Sequence, residues 1–152
     1  MEGHLLVRKI TIFIVSLLAV SCTVLKTPCP CDAPEVIVAN GKEILINAEV
    51  VRKDVEGHGN ISIQVWLTTT DKSAFPTELT IGDYYIRPSD LSHDAYEGSF
   101  ESQVPDLYNG IITLKTALGP DWKKGEMTDV AVQLIDGKGK ILFIKKDKVE
   151  IK

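Results

Sequence analysis

Apolar and polar residues alternate with a period of two over most of the chain beyond residue 35, in short runs cut by turn chemistry. Ile61, Ile63, Val65 and Leu67 alternate with Ser62, Gln64, Trp66 and Thr68, the cleanest such run. That spacing puts one set on each face of a β-strand. Ile44, Ile46, Ala48 and Val50 alternate in the same way with Leu45, Asn47, Glu49 and Val51. Val36-Ile37-Val38 precedes Asn40-Gly41, a hairpin turn signal. Leu79-Thr80-Ile81 and Tyr84-Tyr85-Ile86 are strand material around Gly82-Asp83, ended by Pro88, and Ala95–Phe100 is a weaker strand. Ile111–Leu114 fits a strand or a short helix. Val130, Val132 and Leu134 form a half-buried strand that returns through Asp136-Gly137-Lys138-Gly139 to Ile141–Ile144, and Val149–Ile151 closes the chain. Arg52–Asn60, Asp71–Thr77, Pro105–Gly110 and Gly119–Gly125 are polar or rich in Gly and Pro, and are expected as connections. No stretch sustains a 3.6-residue period. About seven short strands with turns every 8–12 residues or so predict an all-β sandwich spanning residues 35–152.

The first 34 residues follow a different pattern. Arg8 and Lys9 precede the apolar run Ile10–Leu18, and Ala19-Val20-Ser21 leads to Cys22. The run has the length of a secretory signal's apolar region and is shorter than the roughly 20 residues that span a bilayer. Residues 1–21 are therefore expected to be a signal peptide and not a fold element. Small residues directly before a cysteine resemble the bacterial lipobox. That resemblance implies cleavage before Cys22 and lipidation of its thiol, hence a lipid anchor in a membrane of the bacterial cell envelope. Plain secretion, or an uncleaved anchor, are the alternatives. Residues 22–34 hold Pro28 and Pro30 and lack apolar periodicity, as expected of a tether.

Composition adds constraints. The 152-residue chain carries a net charge of −4, and loss of Glu2, Arg8 and Lys9 with the signal leaves it near −5. A mildly acidic surface disfavours non-specific nucleic-acid binding, so no nucleic-acid partner is expected. Of three cysteines, Cys29 and Cys31 remain beside Cys22. In an oxidising compartment they are candidates for a disulfide across Pro30, which would close a small, strained ring. A soft-metal site would need further ligands, and none lies nearby.

Candidate chemistry is sparse. His58 and His93 lie beside acidic residues in loops, where a general base or metal ligand could stand, but a solvated loop histidine is the better reading of each. Glu97 and Glu101 share a face if they lie on one strand. No nucleophile motif or phosphate-binding glycine loop occurs. Aromatic residues are the better lead. Trp66 falls on the polar face of its strand, Trp122 in a loop, and one of Tyr84 and Tyr85 must point outward. Trp66, Tyr85 and Trp122 are therefore candidate ligand contacts, able to stack on sugar rings or anchor a partner if exposed. The lysines from Lys138 to Lys152 fit an edge strand that resists edge-to-edge pairing.

Phe75-Pro76-Thr77-Glu78-Leu79-Thr80 and Gly119-Pro120-Asp121-Trp122-Lys123-Lys124-Gly125, followed by Asp129–Gly139, resemble an uncharacterised family of small exported bacterial lipoproteins. The resemblance implies an immunoglobulin-like sandwich and export, and brings no catalytic residues. The expectation is a non-enzymatic envelope lipoprotein without cofactor or metal. It would meet the membrane through lipid and act by interaction or structural presence, with a protein or polysaccharide partner. A carbohydrate-binding or adhesion module using Trp66 and Trp122 is the alternative.

Overall fold

A computed structural model describes residues 30–116 and 119–152. The expected signal peptide, Cys22 and Cys29 lie outside the described residues, and so does the expected Cys29–Cys31 pairing. Among the described residues, nine strands follow a 3-10 turn at Pro30–Asp32: β1 (Val36–Ala39), β2 (Lys42–Val55), β3 (His58–Thr69), β4 (Thr80–Pro88), β5 (Tyr96–Gly98), β6 (Phe100–Asp106), β7 (Ile111–Thr116), β8 (Met127–Ile135) and β9 (Ile141–Glu150). They form an all-β sandwich of two antiparallel sheets, with strand orders β1-β2-β3-β7-β6 and β5-β4-β8-β9. Set β1 and β5 aside, and the remaining order β2-β3-β7-β6 over β4-β8-β9 matches the two sheets of an immunoglobulin constant-type sandwich.

The period-two residues fill the space between the sheets. Ile61, Ile63, Val65 and Leu67 are all fully buried, and they meet Ile86, Leu114, Val130, Val132, Leu134 and Ile144 in one core. The last residues switch sheets. Ile151 bridges Val50 in parallel, the Arg52 amide donates to the Lys152 carbonyl at 2.9 Å, and the Lys152 amide donates to the Val50 carbonyl at 3.0 Å. This ties β9 to β2 and closes one side of the sandwich.

Four local expectations change. Arg52–Asn60 is not a loop: β2 and β3 stay paired out to Val55 and His58. Only Glu56-Gly57 turns, with φ of 52° and 82°, the left-handed pair that a two-residue hairpin needs. The segment is polar because this end of the hairpin projects into solvent, and polarity without burial hides a strand from pattern reading. Gly59 fits there because a Cβ would collide with the Arg52 guanidinium. Second, Ala95–Phe100 is two strands, because the chain crosses from one sheet to the other at Ser99. Glu97 and Glu101 consequently belong to different sheets, both exposed. Third, Ile111–Leu114 is strand, and the turn before it is shorter than expected, since Pro105 and Asp106 belong to β6. Fourth, Ile141–Glu150 is one strand with a left-handed Lys148 and a register shift opposite Thr128 and Val130.

The end of the expected tether is attached to the domain. The Lys145 amide donates to the Pro34 carbonyl at 2.9 Å, and Lys146 pairs with Glu35 at 3.3 Å. This segment covers part of the lysine-bearing edge strand β9.

Candidate functional site

The three aromatic candidates stand on three different surfaces. Trp122 belongs to the β7–β8 connection. Its side chain joins the core at 7% exposure, and its carbonyl accepts from Arg52 Nη1 at 2.6 Å. Arg52 is itself held by Asp54 at 3.0 Å and Asp121 at 2.7 Å. The indole stacks on the His93 ring with centroids 6.1 Å apart and planes 15° apart. His93 Nε2 lies 4.0 Å from Glu126 Oε2. Trp122 thus pins its loop and offers no open platform. A cleft of about 600 Å³, lined by its edge together with Leu91, His93, Tyr96 and Pro120, is wide and of mixed polarity. The His93–Trp122 contact joins two loops distant in sequence, and no motif announces it.

Tyr85 sits on the outer face of the four-stranded sheet. Tyr84, its neighbour, points inward against Phe100 and Tyr96 and is 2% exposed. Tyr85 meets Phe143 edge-on at 5.7 Å, and its hydroxyl donates to Glu97 at 3.1 Å. Burial, with Glu97 and Asp83 nearby, pushes its phenol up. The groove beside it is about 180 Å³ and lined by Pro30, Arg87, Ala95, Ala131 and Lys145. Below it Asp129 accepts from Ser89 Oγ at 2.6 Å, the Lys148 amide at 3.2 Å and Arg87 at 3.3 Å. Burial pushes this carboxyl up, but those hydrogen bonds outweigh it and hold it below the usual range.

Trp66 stands on the outer face of the five-stranded sheet, and here the register gathers apolar side chains. Because Val65 and Leu67 are buried, Trp66 and Thr68 must face out. Pairing aligns Asn47, Trp66, Thr113 and Val104 across β2, β3, β7 and β6. The next row is Val36, Leu45, Thr68, Ile111 and Asp106, and Val38 pairs with Glu43 beyond it. Val36, Leu45, Val104 and Val38 are 39%, 40%, 58% and 66% exposed, while Trp66 and Ile111 are half-buried among them. At the adjoining β6–β7 turn, Leu107 is 64% and Tyr108 96% exposed. An apolar band therefore crosses all five strands on a face with no sheet over it. Sequence reading found Trp66 but missed Val36, Val38, Leu45 and Val104. Each is an ordinary strand residue, and only cross-strand register puts them side by side.

His58 is exposed at the β2–β3 turn and His93 stacks on Trp122. Among the described residues, no group of three or more His, Cys, Asp or Glu side chains is placed to hold a metal ion, and no helix is long and apolar enough to cross a membrane. Comparison with family profiles, with curated proteins and with solved structures gives no match for this chain.

Proposed function

We propose that this chain is a non-enzymatic interaction module of the bacterial cell envelope, anchored by lipid at Cys22 and working through the outer face of its five-stranded sheet. The observation that carries the reading is the apolar band of Val36, Val38, Leu45, Trp66 and Val104, side by side on a face that no other element of the described residues covers. Scattered apolar residues on a surface need no explanation, whereas a contiguous patch spanning a whole sheet marks a binding surface. A half-exposed tryptophan at the centre is the side chain most often found to anchor interfaces. A sheet face is broad, and a broad face suits a macromolecular partner better than a small ligand, which needs a concave site. The sugar-stacking reading loses one of its two tryptophans, since Trp122 is buried.

The export half of the reading rests on the sequence: Arg8 and Lys9, the apolar run Ile10–Leu18, and Ala19-Val20-Ser21 before Cys22. The test of the surface is native gel electrophoresis of the full-length chain extracted in mild detergent. Wild type is expected in a complex larger than the single chain, and Trp66→Glu with Leu45→Lys is expected to migrate alone with an unchanged circular dichroism spectrum. Equal migration of the two would contradict the assignment.

A further inference from the structure

We infer that the outer face of the five-stranded sheet receives the same face of a second copy of this chain; the inference rests on that face being the interaction surface. Size is the first argument. Four strands, β2, β3, β7 and β6, spaced about 4.8 Å apart, over the five residues from Leu45 to Glu49 at about 3.4 Å each, with β1 alongside one end, make a plane of roughly 350 Å². Side-chain relief and the adjoining Leu107 and Tyr108 bring this towards the roughly 800 Å² per partner of a standard interface.

Charge is the second argument. The row of Asn47, Trp66, Thr113 and Val104 holds no charged side chain. Asp106 lies one row to one side of it on β6, and Lys115 one row to the other side on β7. A two-fold axis along β3 keeps each row on itself and exchanges β2 with β7. It sets Trp66 over Trp66, Leu45 over the other copy's Ile111 and Lys115 over the other's Glu49. Glu49 is also held by Lys152 of its own chain at 2.9 Å. An isologous contact of this kind closes on itself and is the commonest form of oligomer.

The β6 edge of the same sheet is a less suitable route to pairing. The edge strand β6 contains Pro105, which has no N–H to give to an added strand, and it carries Glu101 and Asp106. Face-to-face packing uses the apolar band and leaves this edge alone.

Photo-crosslinking in the membrane of the expressing bacterium tests the inference on the full-length chain. A photoreactive phenylalanine derivative replaces Val104 in the apolar band, and, as a control, Gln133 on the other sheet. The Val104 probe is expected to give an adduct of twice the chain mass whose peptides all come from this chain. Trp66→Glu is expected to reduce its yield by more than about tenfold, with the circular dichroism spectrum of the purified protein unchanged. An adduct containing a different protein would overturn the second copy and keep the face as an interaction surface. No adduct above the Gln133 control would overturn both.

Discussion

Replacing Val65 by Asp asks whether the register that puts Trp66 outside is right. Val65 is fully buried on β3, between Ala48 of β2 and Leu114 of β7, while Gln64 beside it faces out. A carboxyl at position 65 enters the core most cheaply as the neutral acid. Holding an acid of ordinary pKa near 3.9 protonated at pH 7 costs about 4 kcal/mol, at 1.36 kcal/mol per pKa unit. Lost valine packing adds about 1–2 kcal/mol. The sum, about 5–6 kcal/mol, matches the whole stability of many small domains. Gln64→Asp, on the outer face, should stay within about 0.5 kcal/mol. Residues 30–152 contain every core side chain from Ile37 to Ile151, so urea titration of that fragment, followed by circular dichroism, is the assay. Because the cost is one of protonation, most of it should vanish as the pH falls from 7 towards 4. Equal midpoints for the two variants, or a larger loss from Gln64→Asp, would show that β3 presents its other face to the core. Trp66 would then be an interior residue, and the proposed surface would not exist.

Four further outcomes follow from the same geometry. Tyr84, desolvated beside Tyr96, has its phenol pushed up to about 12; its folded pKa is raised, so its contribution to stability is full below about pH 10 and is lost as the pH climbs towards 12. Ultraviolet titration should show a late-ionising tyrosine that disappears in Tyr84→Phe. Asp129 is depressed in the fold, so its contribution is present above the ordinary carboxylate range and is lost as the pH falls through the lowered value; Asp129→Asn should cost about 1–3 kcal/mol at pH 7 and flatten the acid limb of the stability curve. Gly59→Val drives a side chain into the Arg52 guanidinium, so it should lower the melting temperature, and Arg52→Ala in the same chain should give part of that loss back. The intact mass of membrane-extracted protein should correspond to a chain starting at Cys22 and carrying lipid, and Cys22→Ser should release the protein from the membrane fraction; an unmodified mass would remove the anchor from the proposal.

The fold was readable in the sequence wherever burial is one-sided. Ile61 to Leu67 alternate because one face meets the core and the other meets water, and the same holds for Ile44 to Val50. Asn40-Gly41 turns with φ of 51° and 74°, as its residue types demand. Glu56-Gly57 makes the same turn, but lies between polar strand ends with no apolar side chains to mark the pairing. The break at Ser99 was hidden for another reason. Tyr96, Glu97 and Glu101 are exposed on both sides of it, so nothing in the pattern signals that the chain changes sheets. Of the candidate site, Trp66 was visible because a large aromatic on a polar face violates the alternation. The band around it was not visible, since Leu45 and Trp66, or Trp66 and Val104, become neighbours only through pairing between strands distant in sequence. The burial of Trp122 was equally out of reach, because it depends on Arg52 and His93, which arrive from strand β2 and from the β4–β5 connection.

Hydroxyl-radical footprinting most directly tests whether the outer face of the five-stranded sheet is covered in its working state. The full-length protein is labelled in native membranes, and the fragment of residues 30–152 is labelled in dilute solution. Oxidation of Val36, Val38, Leu45, Trp66 and Val104 is expected to be several-fold lower in membranes, while Tyr96 and Leu91, exposed on β5 of the other sheet and on the β4–β5 connection, label alike in both. Equal labelling of the band in the two preparations would contradict the account.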